Sequence, residues 1–177
     1  MAWTAPMTAV PNDIFKASDF NTYIRDNLLE TAPGLPDSPN GSFYVTTGEN
    51  SISGSSVSLN RVDASASTAS TTYTDLSPSG PSVTLTVNNS VVIGLGARMT
   101  NSSSTGQSRM SVEWSNDGVT NSASDNYSLT YTGTPIFKLG NTFLLATTPG
   151  QYTFTAKYRV SAGTGTFQNR TMLVFPF

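Results

Sequence analysis

From Tyr73 to the C-terminus, apolar and polar residues change places at nearly every step. Val83, Leu85 and Val87 alternate with Ser82, Thr84 and Thr86. Ile93, Leu95, Ala97 and Met99 alternate with Gly94, Gly96 and Arg98, and Met110, Val112 and Trp114 with Ser111 and Glu113. Leu129 and Tyr131, Ile136-Phe137 and Phe143–Ala146 continue the pattern. Tyr152, Phe154, Ala156, Tyr158 and Val160 make its longest run, before a last strand over Phe167–Phe177. A β-strand turns successive side chains to opposite sides, so this spacing predicts antiparallel strands buried on one face. Asn88-Asn89, Asn116-Asp117-Gly118, Pro149-Gly150 and Gly163-Thr164-Gly165 supply the turns between them. Roughly seven to nine strands at this spacing predict a mainly β protein, an antiparallel β-sandwich of jelly-roll-like form over residues 73–177. Met172–Phe177 is apolar on both faces, which places it centrally in the sandwich or between subunits.

Upstream the pattern changes. Trp3, Met7, Val10, Ile14 and Phe15 are apolar beads with no clean period, and Pro6 and Pro11 argue against helix there. Ser18 then reads as an N-cap with Asp19 in the first turn. Phe20, Ile24 and Leu28, flanked by Tyr23 and Leu29, form one apolar stripe, and Ala32-Pro33-Gly34 ends it. The spacing predicts one short α-helix over 18–31. A helix of about 13 residues is marginal alone in water, so its stripe needs a surface to bury against: the sandwich, another copy, or a different protein. Residues 1–34 therefore read as an N-terminal anchoring arm. Residues 35–72 read as a connector, with turns at Pro36, Pro39 and Asn40-Gly41 and short strands at Phe43–Thr46 and Ser56–Arg61. The tract Ala64–Thr72, nearly all Ala, Ser and Thr, reads as a flexible linker in preference to a plain edge strand.

Composition narrows the chemistry. Charged residues are 11% of the chain, against about 25% in an average domain, and hydrophobic residues are 37%. Low charge with abundant Ser, Thr and Asn is not the signature of disorder. The nine Lys and Arg form no patch, so nucleic-acid binding is not expected. No apolar run is long enough for a membrane helix and no secretory signal opens the chain, so production in a cytoplasm is expected. With no histidine and no cysteine, the usual general base, thiol nucleophiles and the commonest zinc ligands are missing. Glu113, Asp117 and Asp125 remain as a carboxylate set for glycoside hydrolysis, but a solvated turn explains them better. A calcium loop would need ligand spacing that Asp117–Asp125 lacks. Neither enzyme activity nor a cofactor nor a metal is expected. Gly94-x-Gly96 lies in a strand with no helix after it, so close packing or a bulge explains it better than nucleotide binding. The sequons at Asn40, Asn88 (Asn88-Asn89-Ser90), Asn101, Asn126 and Asn169 arise by chance in such a composition. Trp114, Tyr127 and Tyr131 are the candidates for stacking on a glycan, against the commoner reading of strand aromatics as core.

Trp3-Thr4-Ala5-Pro6 and the run Ala17-Ser18-Asp19-Phe20-Asn21-Thr22-Tyr23-Ile24-Arg25-Asp26-Asn27-Leu28 resemble an N-terminal motif of tailed-phage virion structural proteins, especially those of actinobacterial hosts. Phe154–Phe167, with Asn169-Arg170, resembles the β-domain of the same group. The connector resembles nothing in that group. The resemblance implies a virion surface component, a capsid decoration or head-fibre protein, with a minor tail or glycan-binding receptor protein as the alternative. It implies a homotrimer whose partners are other virion proteins, the major capsid protein or a tail or portal component. Trp3, Pro6, Phe15, Phe20, Tyr23, Ile24 and Leu28 are then the anchor residues.

Overall fold

The computed structural model describes Ile14, residues 16–21, 42–48 and 51–177. The chain divides into two compact units, residues 1–55 and 56–177. In the first, the described elements are a four-residue helix, Ala17–Phe20, and two paired strands, β1 (Ser42–Gly48) and β2 (Ser51–Ser56). The helix begins at Ala17, so Ser18 sits inside its first turn and not at its cap. The rest of the expected helix over 18–31 lies outside the described residues.

The second unit is mainly β, as the period-two pattern predicts. Its strands are β3 (Ser58–Val62), β4 (Ala66–Thr68), β5 (Ser82–Val87), β6 (Ser90–Asn101), β7 (Gln107–Asn116), β8 (Val119–Asn121), β9 (Leu129–Thr132), β10 (Phe137–Ala146), β11 (Gly150–Val160) and β12 (Gly165–Pro176). The first sheet runs β10-β6-β12-β3, with β4 also on β12; the second runs β5-β11-β7-β8, with β9 also on β7. All the register pairs in both are antiparallel.

One apolar core joins the two sheets. Val91, Ile93, Leu95, Ala97 and Met99 of β6 are buried with Phe167, Met172 and Val174 of β12. Met110 and Val112 of β7 and Tyr152, Phe154, Ala156 and Tyr158 of β11 close it from the other side. Each fully buried Phe or Met here contributes about 1.5–3 kcal/mol of transfer free energy. Tyr158 meets Phe167 edge-on at 4.9 Å between ring centroids.

The sandwich begins at Ser56, upstream of the expected Tyr73. β3 pairs with β12 over Ser58–Val62, and β4 pairs with it over Ala66–Thr68. The Ala64–Thr72 tract is thus edge structure, contrary to the linker reading. A small-residue segment of low hydrophobicity is held there by backbone bonding, which leaves no trace in an apolar pattern. Residues 70–81 then cover the β11 edge beyond β5. Val160 N–H donates to Ser70 O at 2.8 Å, Tyr158 N–H to Thr74 O at 2.9 Å, and Ala156 N–H to Pro81 O at 3.0 Å.

Two devices shape β12. A register shift falls between Gln168 and Thr171, and Asn169 has φ 49°. The bulge moves the inward phase from Phe167 to Met172 and Val174 and turns Arg170 into the core, where it is fully buried. Its guanidinium donates to Pro78 O (3.1 Å from each terminal nitrogen), Gly80 O (3.2 Å) and Ala64 O (3.5 Å), and lies 5.4 Å from the Tyr158 ring centre. Tyr158 adds its hydroxyl to Gly80 O at 2.7 Å. One buried cation thereby pins the 64–81 segment by its carbonyls.

Candidate functional site

The outward faces of the two sheets carry the chemistry, because the alternation that sends Val, Phe and Met inward sends every charged residue of the strands outward, Arg170 excepted.

On the second sheet, hydroxyls pair across strands: Thr84 with Thr153 at 2.9 Å and Ser82 with Thr155 at 3.0 Å. Lys157 reaches Asp75 at 2.9 Å and Glu113 at 3.3 Å. Burial works against its charge, but the two carboxylates outweigh burial and raise its pKa. Arg159 and Arg109 stand directly opposite each other on β11 and β7. Like charges so placed repel, and a carboxylate bridges them. Asp125 opens the 3-10 turn Asp125–Tyr127, which is tied down by the Ser111 hydroxyl donating to Ser124 O at 2.6 Å. Its carboxylate pairs with both guanidiniums and accepts from the Tyr73 hydroxyl at 2.9 Å. Arg159 first, then Arg109 and Tyr73, hold the Asp125 carboxyl well below the usual carboxylate range. Burial and this anion together raise the Tyr73 hydroxyl.

The three carboxylates singled out in the sequence are therefore held apart. Glu113 serves Lys157, Asp125 serves the arginine pair, and Asp117 sits exposed at the β7–β8 turn with φ 47°. Among the described residues no group of three or more His, Cys, Asp or Glu could hold a metal ion.

The aromatic candidates come from β7, the 3-10 turn and β9, and two of them reach β10. Trp114 meets Tyr127 edge-on at 5.5 Å, and Tyr127 meets Phe143 at 5.1 Å. Tyr131 is separate from them and packs on Phe137 at 5.5 Å. Trp114, Tyr127 and Tyr131 are half-buried and rest against the core. The anchor residues Trp3, Pro6, Phe15, Tyr23, Ile24 and Leu28 lie outside the described residues. Phe20 falls in the short helix, at its last position.

The outward face of the first sheet is different, and its features escaped the sequence reading. Lys138 and Arg98 are directly opposed on β10 and β6, with Gln168 of β12 on the other side of Arg98. Both cations are exposed, and among the described residues no carboxylate joins them. Two residues along each strand, Gly140 and Gly96 are opposed, with Gly94 beyond. None of these three glycines has a positive φ. A Cβ on Gly94 would lie 3.5 Å from Leu173 Cβ, and one on Gly140 3.5 Å from Leu95 O, both ordinary contacts. Neither backbone conformation nor internal crowding demands glycine there. Past them Leu59, Leu144 and Leu173 stand exposed, the first two at 64% and 65%. Strand register was the missing information: the sequence shows Arg98 and Lys138 forty residues apart.

No protein-family model and no curated protein sequence matches the chain. Among solved structures it is similar to the infectious bursal disease virus Gx strain structure at 9% identity and TM-score 0.41, over 75% of this chain and 36% of that one. It is also similar to the VP2 subviral particle of infectious bursal disease virus at 12% identity and TM-score 0.35, over 79% and 44%. Dimeric latent PorU from Porphyromonas gingivalis gives 11% identity and TM-score 0.32, over 77% and 14%. The chain thus spans about a third of the length of the first of these. With TM-scores from 0.32 to 0.41, none of these likenesses bears on what the chain does.

Proposed function

We propose that this chain is a tailed-phage virion structural protein, a capsid decoration or head-fibre protein that attaches through its leading segment and displays the β-sandwich. The observation that carries the reading is the resemblance of Trp3–Pro6 and Ala17–Leu28 to the N-terminal motif of such proteins. The sandwich chemistry supports it. Glu113 and Asp125 are engaged by cations, so neither is poised as a free acid or base, and the reading is of a non-enzyme. The virion partner is the major capsid protein or a tail or portal component.

Deleting residues 1–31 tests the attachment. The truncated chain is expected to stay soluble and to lose binding to intact particles in a co-sedimentation assay. Decoration at full occupancy without those residues would overturn it. A minor tail protein that recognises host glycans is the alternative reading. Glycan-array binding abolished by Trp114→Ala would favour that reading.

A further inference from the structure

Every other charged side chain of residues 56–177 has a partner within the unit. Arg61 pairs with Asp63, Lys157 with Asp75 and Glu113, Arg109 and Arg159 with Asp125, and Arg170 with backbone carbonyls. Three remain: Arg98 and Lys138, side by side on the first sheet, and Asp117 at the tip of the β7–β8 hairpin. The second sheet shows what an opposed cation pair on this fold takes, since Asp125 sits between Arg109 and Arg159. Arg98 and Lys138 have the same cross-strand placement and lack the carboxylate.

We infer that the Arg98–Lys138 pair is a carboxylate-binding contact between two copies of this chain, and that its occupant is Asp117 of the second copy. A copy cannot reach its own pair. Asp117 lies at the end of the sandwich that holds the Asn88-Asn89 turn, because Asn116 pairs with Tyr152 and Gly150 with Val87. From Ser90, at that end, to Arg98 is about 26 Å along β6 at 3.3 Å per residue. The two charges therefore meet only between copies, reciprocally across a two-fold axis or head to tail. The surroundings match in shape as well. Gly96 and Gly140 beside the cations leave room for the backbone of an Asp117-Gly118 hairpin tip, a use of strand glycine that their own environment does not explain. Made reciprocally the contact closes a dimer; made head to tail it closes into a ring when its rotation permits and otherwise extends into a filament. It is independent of the attachment proposed above.

Sedimentation velocity on the full chain over a range of concentration tests this. The wild type is expected to associate. Asp117→Lys, and separately Arg98→Glu with Lys138→Glu, should each weaken association about tenfold or more. The combined Asp117→Lys, Arg98→Glu, Lys138→Glu chain should regain it, since the charges are swapped on both sides. Far-UV circular dichroism checks that each variant is folded, and Asp117→Asn supplies a milder version of the same loss. A monomeric wild type, association indifferent to the charge reversals, or a combined variant no better than its parents would each overturn the contact.

Discussion

The two outward faces of the sandwich are built from the same alternating strands and end up chemically unlike. On the second sheet the polar groups satisfy one another. Thr84 meets Thr153, Lys157 sits between Asp75 and Glu113, and Asp125 neutralises an arginine pair. On the first sheet the corresponding cation pair has no anion among the described residues, three glycines leave a bare strip, and leucines stand in water. A face whose groups are internally matched has little to offer a partner. A face whose groups are unmatched is where association gains most, because the unpaired charge and exposed apolar area are already present in the free molecule.

Arg170 gives the largest expected effect, since it separates a charge matched inside the fold from one that waits on the surface. Arg170→Met keeps much of the volume but takes the guanidinium from the part-buried carbonyls of Ala64 and Pro78 and leaves the buried Gly80 carbonyl with the Tyr158 hydroxyl alone. The expected loss is about 3 kcal/mol, read as a lower denaturant midpoint. Arg98→Met should change the same midpoint by less than about 0.5 kcal/mol.

Glycines divide in the same way. A Cβ at Gly106 would stand 2.6 Å from Ala162 O, a backbone atom, so Gly106→Ala should lose about 1–3 kcal/mol. Gly94→Ala should stay within about 0.5 kcal/mol of wild type in thermal unfolding, because its nearest new contact is an ordinary one. A large loss at Gly94 would mean that the first sheet's bare strip is an internal requirement and not a feature of its surface.

A smaller loss than at Arg170 or Gly106 is expected at Asp125, which is 43% exposed. Asp125→Asn leaves Arg109 and Arg159 opposed with no anion between them, and an exposed network of this kind is worth on the order of 0.5–1 kcal/mol. The sign with pH follows from the depressed carboxyl. Its contribution is complete above the unfolded value, about 3.9, and is lost as pH falls below that toward the lower folded value. The melting-temperature gap between wild type and Asp125→Asn should be widest near neutral pH and narrow below pH about 4. A gap that widened in acid would place the Asp125 charge outside the stabilising network.

Much of the sandwich was legible residue by residue. β5, β6, β7 and β11 follow runs such as Val83/Leu85/Val87 and Tyr152/Phe154/Ala156, and the turns fall at Asn88-Asn89 and Asn116-Asp117-Gly118. β4 was not legible, because Ala66–Thr68 has no apolar period and is held by backbone bonds to β12. The phase change in β12 can be traced in hindsight to Phe167 being odd-numbered and Met172 and Val174 even-numbered among the inward positions, with Asn169 at the shift. Of the aromatic candidates, Trp114 and Tyr127 touch, while Tyr131 packs on Phe137.

What the sequence settled by itself is the part governed by local periodicity and by residue inventory. Period-two burial makes strands, and a chain without histidine or cysteine has a short list of possible chemistries. What only the tertiary structure decided is which charges meet. Asp125 against Arg109 and Arg159, and Lys138 against Arg98, are matters of strand register and sheet order. Those are set by the packing of the whole core and not by any one segment.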